Sequence, residues 1–148
     1  LPARIFLPMG NGTLVLGTLQ GLAYLNDSGM DTSGAQVVAV QAENCAPIAR
    51  SYAAQQTVVA PVENLGTAAT GIAIAAPKRG NQLLSRLVAQ GGRIEVAAES
   101  EISTTQAVLA ESGLVVETTT AATFCPILRE SASNRVESVI PACGAGSQ

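Results

Sequence analysis

The chain is most constrained by a repeating order: a short apolar or β-branched run, a turn of small residues, then a longer stretch with helical spacing. Arg4 to Met9 is short and apolar and stops at Gly10. It gives way to Thr13–Leu25, where Leu14, Leu16, Leu19, Leu22 and Leu25 recur at helical intervals. Gln36 to Ala42 (QVVAVQA) is a β-branched run, and Cys45 to Gln55 behind it has a helical composition with Pro47 placed for a first turn. Between Val62 and Ile74, Asn64, Gly66 and Thr67 mark a turn. The alanine-rich run that follows is compatible with helix or buried strand, and helix is the preferred reading. Asn81 to Gln90 reads as a helix closed by Gly91 and Gly92, Arg93 to Ala97 as a strand, and Ser100 to Ser112 as a helix stopped at Gly113. Val115 to Glu117 is short and extended, Thr120 to Ser131 helical, and Val136 to Ile140 the last strand. Strands that alternate with helices lie mainly parallel, and the crossovers cover the sheet. The expected fold is therefore α/β, in three layers: a mainly parallel, twisted sheet with helices on both faces.

The 148 residues, 47% of them hydrophobic, suffice for one core without disulfides or metal. Only 13% are charged and the net charge is -3, so no basic stripe exists to neutralise a nucleic-acid backbone. There is no apolar run of about 18 residues and no basic, apolar leader at the start, so no membrane contact is expected and the location is read as cytoplasmic. Cys45, Cys125 and Cys143 are widely spaced and histidine is absent, which argues against a disulfide framework, a Cys/His zinc site and any His-dependent triad. The chain opens at Leu1 inside an extended segment, which reads as a fragment or a processed chain.

Two turns carry the candidate chemistry. Gly10-Asn11-Gly12-Thr13 lies between a predicted strand and a predicted helix, where backbone N–H groups and the positive helix end converge on an anion; tight βα packing accounts for the same glycines. The segment matches neither the dinucleotide fingerprint nor a P-loop. At the other end the last strand runs into Ala142-Cys143-Gly144-Ala145-Gly146, placing a small polar side chain at a carboxyl end of the sheet, where ligands of open α/β sheets collect. Inert packing is the competing reading of Cys143. The single lysine, Lys78, sits in Pro77-Lys78-Arg79-Gly80, an exposed turn where it is a solvated charge.

Taken in order, LPMGNGTLVLGTLQGLAYL, VVAVQAENCAPIA, GTAATGIAIAAPKRG, GRIEVAAESEISTTQAVLAESG, LVVETTTAA and VIPACGAGSQ resemble the C-terminal half of the fold type II pyridoxal-phosphate enzymes. This is the tryptophan synthase β-like family, and the nearest likeness is to its threonine synthases. The resemblance implies that residues 1–148 form a single, incomplete cofactor-binding domain for pyridoxal 5'-phosphate. It implies that Gly10, Asn11, Gly12, Thr13 and Leu14 hold the cofactor's phosphate through backbone amides. Cys143 falls where the family has a neutral hydrogen-bond partner for the pyridine nitrogen, which tunes the ring as an electron sink. Thr67 and Ala68 match a segment lining the cofactor cleft. Glu117 opens a Glu-x-x-x-Ala pattern near it, although a helix-start charge is the favoured reading of that residue.

The family's Schiff-base lysine lies in a Ser-x-Lys segment upstream of the phosphate loop, so no catalytic residue is assigned here and the chain alone is expected to be inactive. The implied activity of the whole is that of a lyase or synthase acting on amino acids. The favoured case is conversion of O-phosphohomoserine to threonine by elimination and replacement. Serine or threonine dehydratase, cysteate synthase and diaminopropionate ammonia-lyase stay open. The implied partners are the amino-acid substrate, the missing N-terminal half of the same enzyme and a second copy in a homodimer. Outside enzymology, a non-catalytic α/β domain that keeps the pocket as an anion or nucleotide site, or a structural subunit, fits the same residues.

Overall fold

Val37, Val38, Ala39, Val40 and Ala42 are each 2% exposed or less, so the QVVAVQA run has no solvent face and must be an interior strand. The computed structural model describes residues 1–144 and bears this out. Its elements are β1 (Arg4–Pro8), α1 (Thr13–Asp27), β2 (Gln36–Ala42), α2 (Pro47–Ala53), α3 (Gly80–Ala89), β3 (Arg93–Ala97), α4 (Glu99–Glu111), α5 (Thr118–Leu128) and β4 (Ser138–Val139). All pairings between these strands are parallel, in the order β3-β2-β1-β4. Arg4 is in register with Gln36 on one side of β1 and with Ser138 on the other.

Side chains alternate across the sheet and so build two cores. Leu7, Val37 and Ala39 pack with Val15 and Leu19 of α1, Ile48 of α2, and Leu83 and Leu87 of α3. On the opposite face Phe6, Val38 and Val40 meet Ile102 and Leu109 of α4 and Ala121, Ala122 and Cys125 of α5. Each large aliphatic side chain buried in this way contributes about 1.5–3 kcal/mol. The sheet is thus covered on both faces, as the alternation of elements implied.

The chain departs from its sequence pattern between Val62 and Ile74. The expected helix is absent; only a short 3-10 turn, Thr70–Ile72, forms, and the rest is an irregular strap. Apart from the short-range bonds around that turn, several of its backbone groups are taken by side chains from elsewhere in the chain. Asn44 Nδ2 donates to the Gly66 carbonyl (2.7 Å), the Ala68 amide donates to Glu99 Oε2 (3.2 Å), and Thr118 Oγ1 donates to the Ala68 carbonyl (2.6 Å). Within the strap, Asn64 and Thr67 each accept an amide two residues on, which competes with helix formation.

From β1 the chain steps outwards through β2 to β3, then returns by α4 and α5 to the other side of β1. β1 and β4 are thus neighbours that run the same way, and their carboxyl ends lie side by side, at the end of an open parallel sheet where ligands are accepted. Ala145 and Gly146, the last residues of the glycine-rich ending, lie outside the described residues.

Candidate functional site

β1 ends at Pro8, and the next residues turn directly into α1, with Gly12 at the N-cap position in the left-handed region (φ 75). A side chain there is opposed twice, by that φ and by the Leu83 side chain, which occupies the position a Cβ would take. No side chain caps α1 and no acidic residue lies in its first turn, so the first amides of this 15-residue helix keep their hydrogen-bonding capacity at the positive end of the dipole.

This loop forms one wall of a cleft of about 340 Å³, within the usual range of roughly 300–1,000 Å³ for small-ligand sites. Gly10, Asn11, Gly12, Thr13 and Leu14 line it on the β1 side. Gly71, Ile72 and Ile74 of the strap form another wall, and Glu117, Thr119 and Cys143 line it as well. Seven residues singled out from the sequence are therefore brought together from distant parts of the chain: Gly10 to Leu14, Glu117 and Cys143. Thr67 and Ala68 do not line the cleft. They sit in the strap just ahead of Gly71, where Thr67 Oγ1 accepts the Ala69 amide (3.1 Å) and Ala68 is tied to Glu99 and Thr118. Lys78 is exposed, in the turn before α3, and is likewise not a lining residue.

Glu117 occupies a helix start and a cleft wall at once. It is the N-cap residue of α5, and it also lines the cleft, with its amide donating to the Gly144 carbonyl (3.2 Å). That hydrogen bond seats the turn carrying Cys143 beside the start of α5.

The three cysteines separate by environment. Cys45 and Cys125 are buried in the core, where desolvation pushes both thiols up, and Cys125 Sγ lies 3.4 Å from Thr105 Oγ1. Cys143 is exposed and lies at the cleft.

Two supporting residues were not found from the sequence. Gln41 is fully buried at the end of β2; its Oε1 accepts the amides of Ile48 and Ala49 (2.9 Å each) and its Nε2 donates to the Met9 carbonyl (3.3 Å). It thereby caps α2 and fixes the residue ahead of Gly10. An amide buried near the end of the apolar run that follows Gln36 was the available signal. Thr119, whose Oγ1 accepts the Gly71 amide at 3.2 Å, had none, because the pairing spans 48 positions.

A family model described as pyridoxal-phosphate dependent enzyme matches residues 1–144. Over 123 residues the chain is 32% identical to threonine synthase of Methanosarcina acetivorans, an alignment that covers 82% of this chain and 30% of that protein. Among solved structures, the T.th. threonine deaminase superposes on the whole chain with a TM-score of 0.76 at 20% identity, and 45% of it is covered. Maize serine racemase superposes on 99% of the chain with a TM-score of 0.69 at 18% identity, and 43% of it is covered. For the L-serine ammonia-lyase from Rhizomucor miehei the values are 99%, 0.71 and 21%, with 46% of that protein covered. These structural likenesses carry the fold, and the chain spans less than half the length of each of these relatives.

Proposed function

The chain belongs to the pyridoxal-phosphate dependent enzyme family, and from that premise we propose that residues 1–148 are the C-terminal, cofactor-binding portion of a longer enzyme with threonine synthase-like activity. The observation that carries the reading is the meeting of Gly10–Leu14 and Cys143 on one cleft at the carboxyl end of the sheet.

The residues present fit the cofactor. Its phosphate dianion is suited to the uncapped first turn of α1, and the cleft wall nearest that turn holds no carboxylate from α1 itself. Gly10 keeps the loop close to the strap: a methyl there would lie 3.1 Å from Ile74 Cγ1 and 3.2 Å from the Gly71 carbonyl oxygen. Cys143 would offer the ring nitrogen a weak hydrogen-bond partner. When bound, the cofactor supplies an electron sink for chemistry at an amino acid.

The work of this chain's own residues is to bind and orient. The amides from Gly10 to Leu14 hold the phosphate, Glu117 fixes the turn that presents Cys143, and Gln41 holds the backbone at Met9 so that the loop keeps its shape. Lys78 takes no part. In this reading the covalent lysine and most substrate contacts come from the remainder of the longer protein, and a second copy completes a homodimer. The threonine synthase reaction replaces the phosphate ester of O-phosphohomoserine with a water-derived hydroxyl at the neighbouring carbon, releasing inorganic phosphate.

The test is to titrate the full-length protein carrying these residues with pyridoxal phosphate, follow the visible absorbance of bound cofactor, and then supply O-phosphohomoserine. Equal yields of threonine and phosphate are expected. Formation of 2-oxobutanoate from threonine instead would reassign the enzyme as a dehydratase, and absence of any cofactor-dependent absorbance would overturn the reading.

A further inference from the structure

α5 begins with two threonines that grip the strap at separate points. Thr118 Oγ1 donates to the Ala68 carbonyl at 2.6 Å, and one residue on, Thr119 Oγ1 accepts the Gly71 amide at 3.2 Å. The two differ in position: Thr119 is 6% exposed and lines the cleft, whereas Thr118 does not line it.

Gly71 is fitted to this grip. A Cβ at Gly71 would come within 2.7 Å of Thr119 Oγ1, so only glycine lets the strap approach the hydroxyl. Gly71 in turn presents its carbonyl to the position a side chain at Gly10 would take. A line of contact thus runs from Thr119 through Gly71 to the first residue of the anion loop. The Thr119 hydroxyl also has unused capacity. Its oxygen is occupied by the Gly71 amide, but its proton finds no acceptor among the described residues, at a nearly buried position on the cleft wall.

We propose that Thr119 is a positioning and binding residue of the cofactor cleft: its oxygen fixes the strap against Gly10, and its hydroxyl proton is donated to an oxygen of the bound pyridoxal phosphate. The inference rests on the cofactor reading given above and adds to it a residue from a different element. The acceptor is a phosphate oxygen or a ring oxygen, the same hydrogen-bond chemistry in either case.

The experiment compares Thr119→Val, Thr119→Ser and the unaltered full-length protein. It measures dissociation constants for pyridoxal phosphate and for inorganic phosphate, with thermal unfolding as a check on folding. Thr119→Val should weaken pyridoxal phosphate roughly tenfold, and Thr119→Ser, which keeps the hydroxyl, should stay within about twofold of the unaltered protein. A parallel loss of inorganic phosphate affinity places the acceptor on the phosphate; a loss confined to pyridoxal phosphate places it on the ring. Should Thr119→Val fail to fold, Thr119→Ala against Thr119→Ser makes the same comparison. Unchanged binding in the variants lacking the hydroxyl, or a serine variant as weak as they are, overturns this inference alone. An unaltered protein that binds neither probe overturns the cofactor reading with it.

Discussion

The Arg4 guanidinium is clasped by the Glu130 carboxylate through two hydrogen bonds, Nη1 to Oε1 at 2.5 Å and Nη2 to Oε2 at 2.8 Å, tying the first strand to the end of α5. Arg4 is only 8% exposed and its guanidinium lies 5.3 Å from the centre of the Phe6 ring, so the pair is partly shielded from water. The hydrogen bonds from Arg4 hold the Glu130 carboxyl below its ordinary range, and Arg129 does the same to Glu101. Both folded-state values are depressed, so this stability is complete above the unfolded glutamate value of about 4.3 and is lost as pH falls through it towards the folded values. Glu130→Gln should cost about 1–2 kcal/mol at neutral pH, a figure moderated by partial exposure. It should also flatten the decline in stability between about pH 5 and pH 3. Urea unfolding of the two proteins across that range checks both; an equally steep acid decline in the variant would show that the pair does not contribute.

Gly12→Ala should destabilise the fold by about 1–3 kcal/mol, because a side chain meets both the left-handed backbone (φ 75) and Leu83. The same change should weaken inorganic phosphate binding, since relief of the clash with Leu83 moves the amides that follow. Denaturant midpoints and phosphate titration give the two numbers. A variant as stable as the parent would mean that the loop does not need its glycine.

Most of the fold was legible because each strand and helix announces itself locally. QVVAVQA matches β2 from its first residue to its last, RIEVA matches β3, and the leucine spacing after Thr13 marks α1. The strap from Val62 to Ile74 was not legible. Its alanines suit a helix, but side chains of Asn44, Glu99 and Thr118, distant in sequence, satisfy its backbone, and local composition carries no trace of them. The cleft was half legible for the same reason. Gly10 to Leu14 and Cys143 sit at strand ends that the alternation predicts. Gly71 and Thr119 enter it only through a hydrogen bond made in the folded chain.

Gln41 makes a sharper stability prediction than any surface residue. Replacing it with leucine keeps the volume and apolar surroundings but strands the Ile48 and Ala49 amides and the Met9 carbonyl, all now satisfied by one side chain. A loss of about 2–4 kcal/mol is expected, together with weaker anion binding, because Met9 precedes the loop. Calorimetric unfolding and phosphate titration test this. Lost stability with unchanged phosphate affinity would confine Gln41 to the core.

Thiol chemistry offers the most direct view of the cleft, since the three cysteines differ so strongly in access. Cys45 and Cys125 are 0% and 1% exposed and burial pushes their thiols up, whereas Cys143 is exposed. Reactivity follows the accessible thiolate, so a maleimide or disulfide reagent applied to the folded protein should modify Cys143 first, as peptide mapping would show. With the cofactor ring against Cys143, saturating pyridoxal phosphate should slow that labelling at least about tenfold, as expected for a site open only when the ligand has left. Cys143→Ala in the full-length enzyme should lower kcat/KM by about 1–2 kcal/mol for a lost hydrogen bond, and Cys143→Ser should restore most of it. Cys45→Ala and Cys125→Ala should act on stability alone, by about 1 kcal/mol each through the small voids they leave. Labelling of Cys143 at the same rate with and without the cofactor would remove this residue from the site, leaving the glycine loop as the only anchor for the phosphate end.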